Sequence, residues 1–116
     1  MSLIPKCSFR IIGLSEDELS NIVDNYLHGI SYRTGSYYKD RSQKILRLVV
    51  DDSTDSATLQ CLVKEKPGHA IHDFFISISS NQQSAVVDIP DFLLSLQNKV
   101  GGSICFSYTC TFDPDE

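Results

Sequence analysis

Positive charge is what this chain most conspicuously lacks: 10 lysines and arginines stand against 15 aspartates and glutamates, a formal net charge of -5 at pH 7. That balance repels a phosphate backbone, so it counts against non-specific nucleic-acid or anionic-membrane binding and favours a basic protein partner. Long apolar runs are missing too. Pro5 and Lys6 interrupt the opening "MSLIPKCSFRIIG" where a signal peptide needs an unbroken hydrophobic stretch, and no later segment approaches the roughly 20 residues of a membrane span. The expected compartment is the cytoplasm. No internal repeat, low-complexity tract or domain-separating linker is present, so 116 residues predict one globular domain, 1–116. Phosphate-cradle spacing is absent: Gly13 and Gly101-Gly102 have neither the strand–loop–helix context nor a following Lys-Ser or Lys-Thr, and read as turn and cap glycines.

What is there suffices for a core without disulfides or a metal: 41% of residues are hydrophobic and 22% charged. Of the four cysteines, Cys105 and Cys110 are five apart in a strand-like stretch. They point to opposite faces about 17 Å apart, beyond the roughly 7 Å a disulfide tolerates. Reduced thiols fit the cytosol. "CSFRII" alternates Cys7, Phe9 and Ile11 against Ser8, Arg10 and Ile12 and predicts a half-buried strand. "LSEDELSNIVDNYLHG" predicts a helix with Ser15 as N-cap, Glu18 completing a capping box, and Leu19, Ile22, Val23, Tyr26 and Leu27 on one stripe. A strand is expected over "KILRLVVDD", ending in the acidic turn Asp51, Asp52 and Asp55. Residues 57 to 66 fit strand or helix, and a short helix capped by Asp55 or Ser56 and stopped at Pro67-Gly68 is preferred. "HDFFISISS" and "SAVVDIP" predict a strand pair with Phe74, Ile76 and Ile78 on the core face, "DIPDFLLSLQNKVGG" a last helix, and "SICFSYTCTF" a final strand. The expected class is α+β: a mixed, mostly antiparallel sheet with helices packed on one face, in the order β-α-β-α-β-β-α-β. The tail "DPDE" is expected to fray.

Taken with its residues, this pattern resembles the bacterial domain-of-unknown-function family 4279. The likeness lies in "FRIIG" leading to "SEDELSNIVDNYLHGI", in "YRTGSYY", and in the unit "FISISSNQQSAVVDIPDFLLSLQNKVGGSICFSYT". It covers most of the chain. More broadly the chain looks like the small, acidic, single-domain immunity proteins that bacteria encode beside polymorphic or contact-dependent toxins. That likeness implies a non-enzymatic role: binding a cognate toxin protein in the cytosol and occluding its active or target-binding surface. No site residue carries over, because immunity surfaces vary with their toxins.

The residues themselves nominate a surface. "SYRTGSYYKDRSQK", Ser31 to Lys44, crowds tyrosines and cations together and is expected to be the connection between the first helix and the second strand, turning at Gly35. The resemblance sets this loop at a fixed point of the fold and leaves Tyr37, Tyr38 and Arg41 to recognise a partner. Asp51, Asp52 and Asp55 are the acidic candidates, suited to steering the basic cleft of a nuclease toxin, with a solubilising turn as their bland alternative. A competing reading is an RNA-binding module stacking bases on Tyr32, Tyr37 and Tyr38 with Arg33, Lys39 and Arg41 on phosphates. A third is a metal-binding or enzymatic domain using His69, His72, Asp73 or a cysteine such as Cys61. The histidine spacing suits a shared helix face, yet the stretch leads into a strand, where positions three apart diverge. Neither a cofactor nor a metal is therefore expected.

Overall fold

In a strand, successive side chains leave on opposite sides, and here that alternation decides which way the sheet faces. The computed structural model describes residues 6–37, 39–80 and 89–110. Within them the elements run β1 (Lys6–Leu14), α1 (Glu16–Tyr26), β2 (Arg33–Tyr37), β3 (Asp40–Val49), α2 (Ser56–Glu65), β4 (Ile71–Ser80), α3 (Asp91–Val100) and β5 (Ser103–Cys110). The strands form one five-stranded sheet in the order β2-β3-β1-β4-β5. All pairs are antiparallel except β4 with β5, whose parallel pairing follows the crossover through α3. This is the expected α+β class.

Phe9 lies opposite Leu48 of β3 and Phe74 of β4. Those side chains, with Ile11, Leu46, Ile76 and Ile78, face the helices and form one core with Ile22, Leu59, Leu62, Leu93 and Leu96. The Phe9 and Phe74 rings meet at 5.4 Å between centroids, tilted by 56°, a favourable edge-on geometry. Each such fully buried side chain is worth roughly 1.5–3 kcal/mol of transfer free energy. Gly13, at φ 97°, sits where the β1–β3 register shifts between Ile12 and Leu14. That bulge resets the alternation, so Leu14 turns into the core with Ile11 instead of pointing away.

The helices begin and end for local reasons. Ser15 Oγ accepts from Glu18 N (3.1 Å) and Ser15 N donates to Glu18 Oε1 (2.8 Å), the reciprocal capping box. Asp55 caps α2 through Ala57 N at 3.0 Å. The segment that fitted either strand or helix is therefore helical, with Leu59 and Leu62 buried. Gly101 and Gly102 both have positive φ and end α3. A Cβ on Gly102 would come within 2.8 Å of His72 Cδ2, so this position excludes any side chain.

The structure departs from the expected element order in Ser31 to Lys44. Instead of a connection, the segment contains strand β2 and the first half of β3, which pair antiparallel with each other. Gly35 does not turn; it is extended and paired with Ile45. The reason is position: β2 is an edge strand exposed on nearly every residue, so it buries nothing and carries no alternating apolar signal. The strand expected over "SAVVDIP" falls almost wholly outside the described residues; Ile89 and Pro90, which are within them, lead into α3 without strand structure.

The capping box yields a direct test. Ser15→Ala should lower unfolding free energy by about 1 kcal/mol in urea titrations at neutral pH. The Glu18 carboxyl is held below its ordinary range, first by the Ser15 amide. Its contribution is then complete above the unfolded carboxylate pKa and lost as pH falls through the lower folded value. Glu18→Gln should accordingly destabilise at neutral pH and become neutral in acid, read from the same titrations.

Candidate functional site on the open sheet face

The parity that sends Phe9, Leu48 and Phe74 to the helices sends their neighbours to the uncovered side. Register places Arg33 of β2 opposite Arg47 of β3, Arg47 opposite Arg10 of β1, and Arg10 opposite Asp73 of β4. One row across four strands thus reads Arg33–Arg47–Arg10–Asp73. The adjacent row holds Val49, Ser8, Phe75 and Cys105.

Asp73 is spent on one arginine. Arg10 Nε donates to Oδ1 at 2.8 Å and Nη2 to Oδ2 at 2.6 Å, a two-pronged pair whose side chains are 15% and 8% exposed. The hydrogen bond to Asp73 raises the Arg10 pKa above its ordinary value. Cys105 Sγ donates to Asp73 Oδ2 at 3.3 Å. Burial pushes that thiol up and Asp73 reinforces the shift, so Cys105 stays protonated and is a hydrogen-bond donor, not a nucleophile. Arg10 Cζ lies 4.2 Å from the Phe75 ring centroid and Arg47 Cζ 5.4 Å from it, so one aromatic face orients two cations. Among the described residues no carboxylate comes within ion-pair distance of Arg33 or Arg47.

Beside this row the open face dips into a groove of about 620 Å³, walled by Lys6, Tyr32, Arg33, Arg47, Val49 and Phe75. Val49 is 72% exposed and Tyr32 41%, which leaves apolar as well as cationic surface facing solvent. A smaller apolar hollow sharing Val49 and Val50 reaches Asp55 and Leu59.

The candidates named from sequence occupy both ends of the face. Tyr37 closes β2 at the hairpin and borders a small pocket with Gly13, Gln43 and His69. Arg41 is exposed at the start of β3, and Tyr38 lies outside the described residues. Asp51, Asp52 and Asp55 follow the other end of β3. Because β3 spans ten residues, the two groups stand roughly 30 Å apart at about 3.3 Å per residue. The acidic residues also have local duties. Asp51 Oδ1 accepts from Ser53 N (2.9 Å) and Ser53 Oγ (2.6 Å), which lowers its pKa, while Asp55 caps α2. The hairpin likewise divides the RNA-contact set: Tyr32 and Arg33 line the groove, whereas Tyr37, Lys39 and Arg41 lie at or beside the turn.

The two histidines diverge. His69 Nε2 is 3.2 Å from Glu18 Oε1, while His72 turns inward, 6.0 Å from the Phe9 ring, with its own Nε2 buried and lacking a hydrogen-bond partner among the described residues. Burial pushes the His72 pKa down and keeps the ring neutral. Among the described residues no three His, Cys, Asp or Glu side chains gather closely enough to hold a metal. Cys61 is exposed on α2. Of the residues that organise the site, Asp73 was named from sequence only as a possible metal ligand, and Arg10, Arg47, Phe75 and Cys105 were not singled out as functional. Their only trace is a polar residue or an extra aromatic set inside an apolar strand on the non-core parity.

Compared with known proteins, the chain matches no family model, no curated protein and no solved structure. The site's chemistry therefore stands on its own geometry.

Two outcomes are expected. Asp73→Ala strands Arg10 in a largely buried position and should cost about 3 kcal/mol in urea unfolding, the usual penalty for removing one member of a buried pair. Brief maleimide labelling followed by peptide mapping should modify Cys61 well before Cys7 or Cys105.

Proposed function

We propose that this protein is a non-enzymatic immunity protein, which binds a cognate bacterial toxin domain in the cytosol and occludes its active or target-binding surface with its open sheet face. The observation that carries the reading is the composition of that face. Arginines, Tyr32, Phe75 and the exposed aliphatic side chains Val49 and Ile71 lie on an uncovered sheet. Tyr and Arg are the residues most often found to anchor protein interfaces. Five strands, about 19 Å between edge-strand axes and up to about 30 Å long, offer on the order of 600 Å² in plan, close to the ~800 Å² per partner of a standard interface. The chemically capable groups nearby are committed elsewhere: Cys105 donates to Asp73 and His69 pairs with Glu18. Asp51, Asp52 and Asp55 fringe one end and Tyr37 and Arg41 the other, so carboxylates can steer a partner's basic patch while the arginine-bearing sheet meets its acidic and apolar surface. No helix among the described residues is long and apolar enough to cross a membrane, which is compatible with a cytosolic encounter. The resemblance to immunity proteins supplies the class of partner.

The reading is tested by co-expressing the chain with a toxin domain encoded beside it. Protection of the cells and a stable stoichiometric complex are expected. Val49→Arg or Arg47→Glu should abolish protection while Cys61→Ser on α2 leaves it intact. A chain that neither binds nor protects sinks the immunity reading, and protection that survives both sheet-face variants sinks the assignment of the face.

A further inference from the structure

We infer that Arg33 and Arg47 form a binding site for the phosphate group of a small organic phosphate of nucleoside-monophosphate size, seated in the groove between Lys6 and Tyr32.

Like charges directly opposite one another on neighbouring strands are destabilising, since their Cβ atoms stand only about 4.5–5.5 Å apart. Here three guanidinium side chains are opposed in succession, Arg33 to Arg47 to Arg10. Asp73 relieves only the last. Both its oxygens are occupied by Arg10, and Oδ2 also accepts from Cys105, so it has little capacity left for Arg47. Lys44, three positions before Arg47 on β3, is by contrast tied to Ser36 Oγ and the Arg41 carbonyl. Arg33 and Arg47 are left as an adjacent pair with no counter-charge among the described residues, both lining the same groove. Phe75 holds the Arg47 guanidinium in place from below. Two neighbouring guanidinium groups carrying two positive charges match the charge of a phosphate dianion and can each offer it a pair of N–H donors, and an anion bridging them removes the repulsion that the register imposes.

The groove is larger than a phosphate needs. At about 620 Å³ it falls in the range of small-molecule sites, roughly 300–1,000 Å³. Tyr32 and Val49 give it an apolar wall, and Ser8 and Ser77 line it as well. An aromatic or similarly flat body attached to the phosphate fits that wall, with Lys6 at the rim as a third cation. A nucleic-acid strand fits less well. In the row on the far side of the arginines the open face carries Gly35, Ile45, Ile12 and Ile71, so the cationic surface does not continue there as a track for successive phosphates.

The proposal does not rest on the immunity reading, and a protein that binds no toxin leaves it standing. Calorimetric titration of the intact chain with adenosine monophosphate, adenosine and inorganic phosphate tests it. Adenosine monophosphate should bind about tenfold or more tightly than adenosine, and Arg33→Gln and Arg47→Gln should each lower its affinity about tenfold. The same variants should leave the free protein's melting temperature unchanged or raised, because each removes a repulsive opposed pair; a merely structural arginine would lower it. Equal affinity for adenosine and its monophosphate, or unaltered binding by both variants, overturns the site. Binding of single-stranded RNA that strengthens with length while adenosine monophosphate does not bind would replace it with a strand-binding surface.

Discussion

Everything in this structure depends on a single register, the one that sets Phe9 between Leu48 and Phe74. Because strand side chains alternate with a period of two, that pairing fixes the face of every other residue on three central strands. A slip of one position between β1 and its neighbours would carry Arg10, Arg47 or Asp73 beneath the helices. Charged groups would then lie where Ile22, Leu62 and Leu93 now close the core. The desolvation cost of such an arrangement is several kcal/mol per ion, comparable to the whole stability of a domain this size. The cationic row and the hydrophobic core are two readings of one alignment.

The Arg10–Asp73 pair then determines what the open face can offer. By taking up the only carboxylate in its row, Arg10 leaves its neighbours uncompensated. It also packs over Phe75, whose ring is shared with Arg47. The neutral half of the row is thus ion-paired and largely buried, while in the charged half Arg47 is half-buried and Arg33 exposed. Recognition of any anionic or hydrogen-bonding group is concentrated on β2 and β3, next to the edge of the sheet.

How much of this could be read from the chain varied with how local the cause was. The α1 capping box, the stop at Pro67-Gly68, and the shared face of Phe74, Ile76 and Ile78 depend on residues a few positions apart, and all were legible. Strand β2, Arg33–Tyr37, was not, because an edge strand exposed at all but its last residue has no hydrophobic period; its polar composition looks like a loop's. The arginine row was invisible for a different reason. Arg33, Arg47, Arg10 and Asp73 come from four strands, and nothing in the neighbourhood of any one of them encodes which strands adjoin. Arg41 is exposed and Tyr37 half-buried, and the length of β3 that separates them from Asp51 is a fact of tertiary geometry.

Segregating helices from the open sheet face also gives the molecule an electrical near field and far field of opposite sign. Carboxylates gather at the starts of all three helices, at Glu16, Asp17 and Glu18, at Asp55 and at Asp91, while the guanidinium row lies on the sheet. From a distance an anionic visitor meets a net charge of -5 and is repelled. Within a few ångströms of the groove it meets Arg33 and Arg47, which have no carboxylate partner among the described residues, and is drawn in. Mobile ions screen the first effect before the second, since the Debye length is about 30 Å at 0.01 M but about 8 Å at 0.15 M. Association with an anion should therefore be fastest at intermediate ionic strength, where the long-range barrier has gone and the short-range attraction has not.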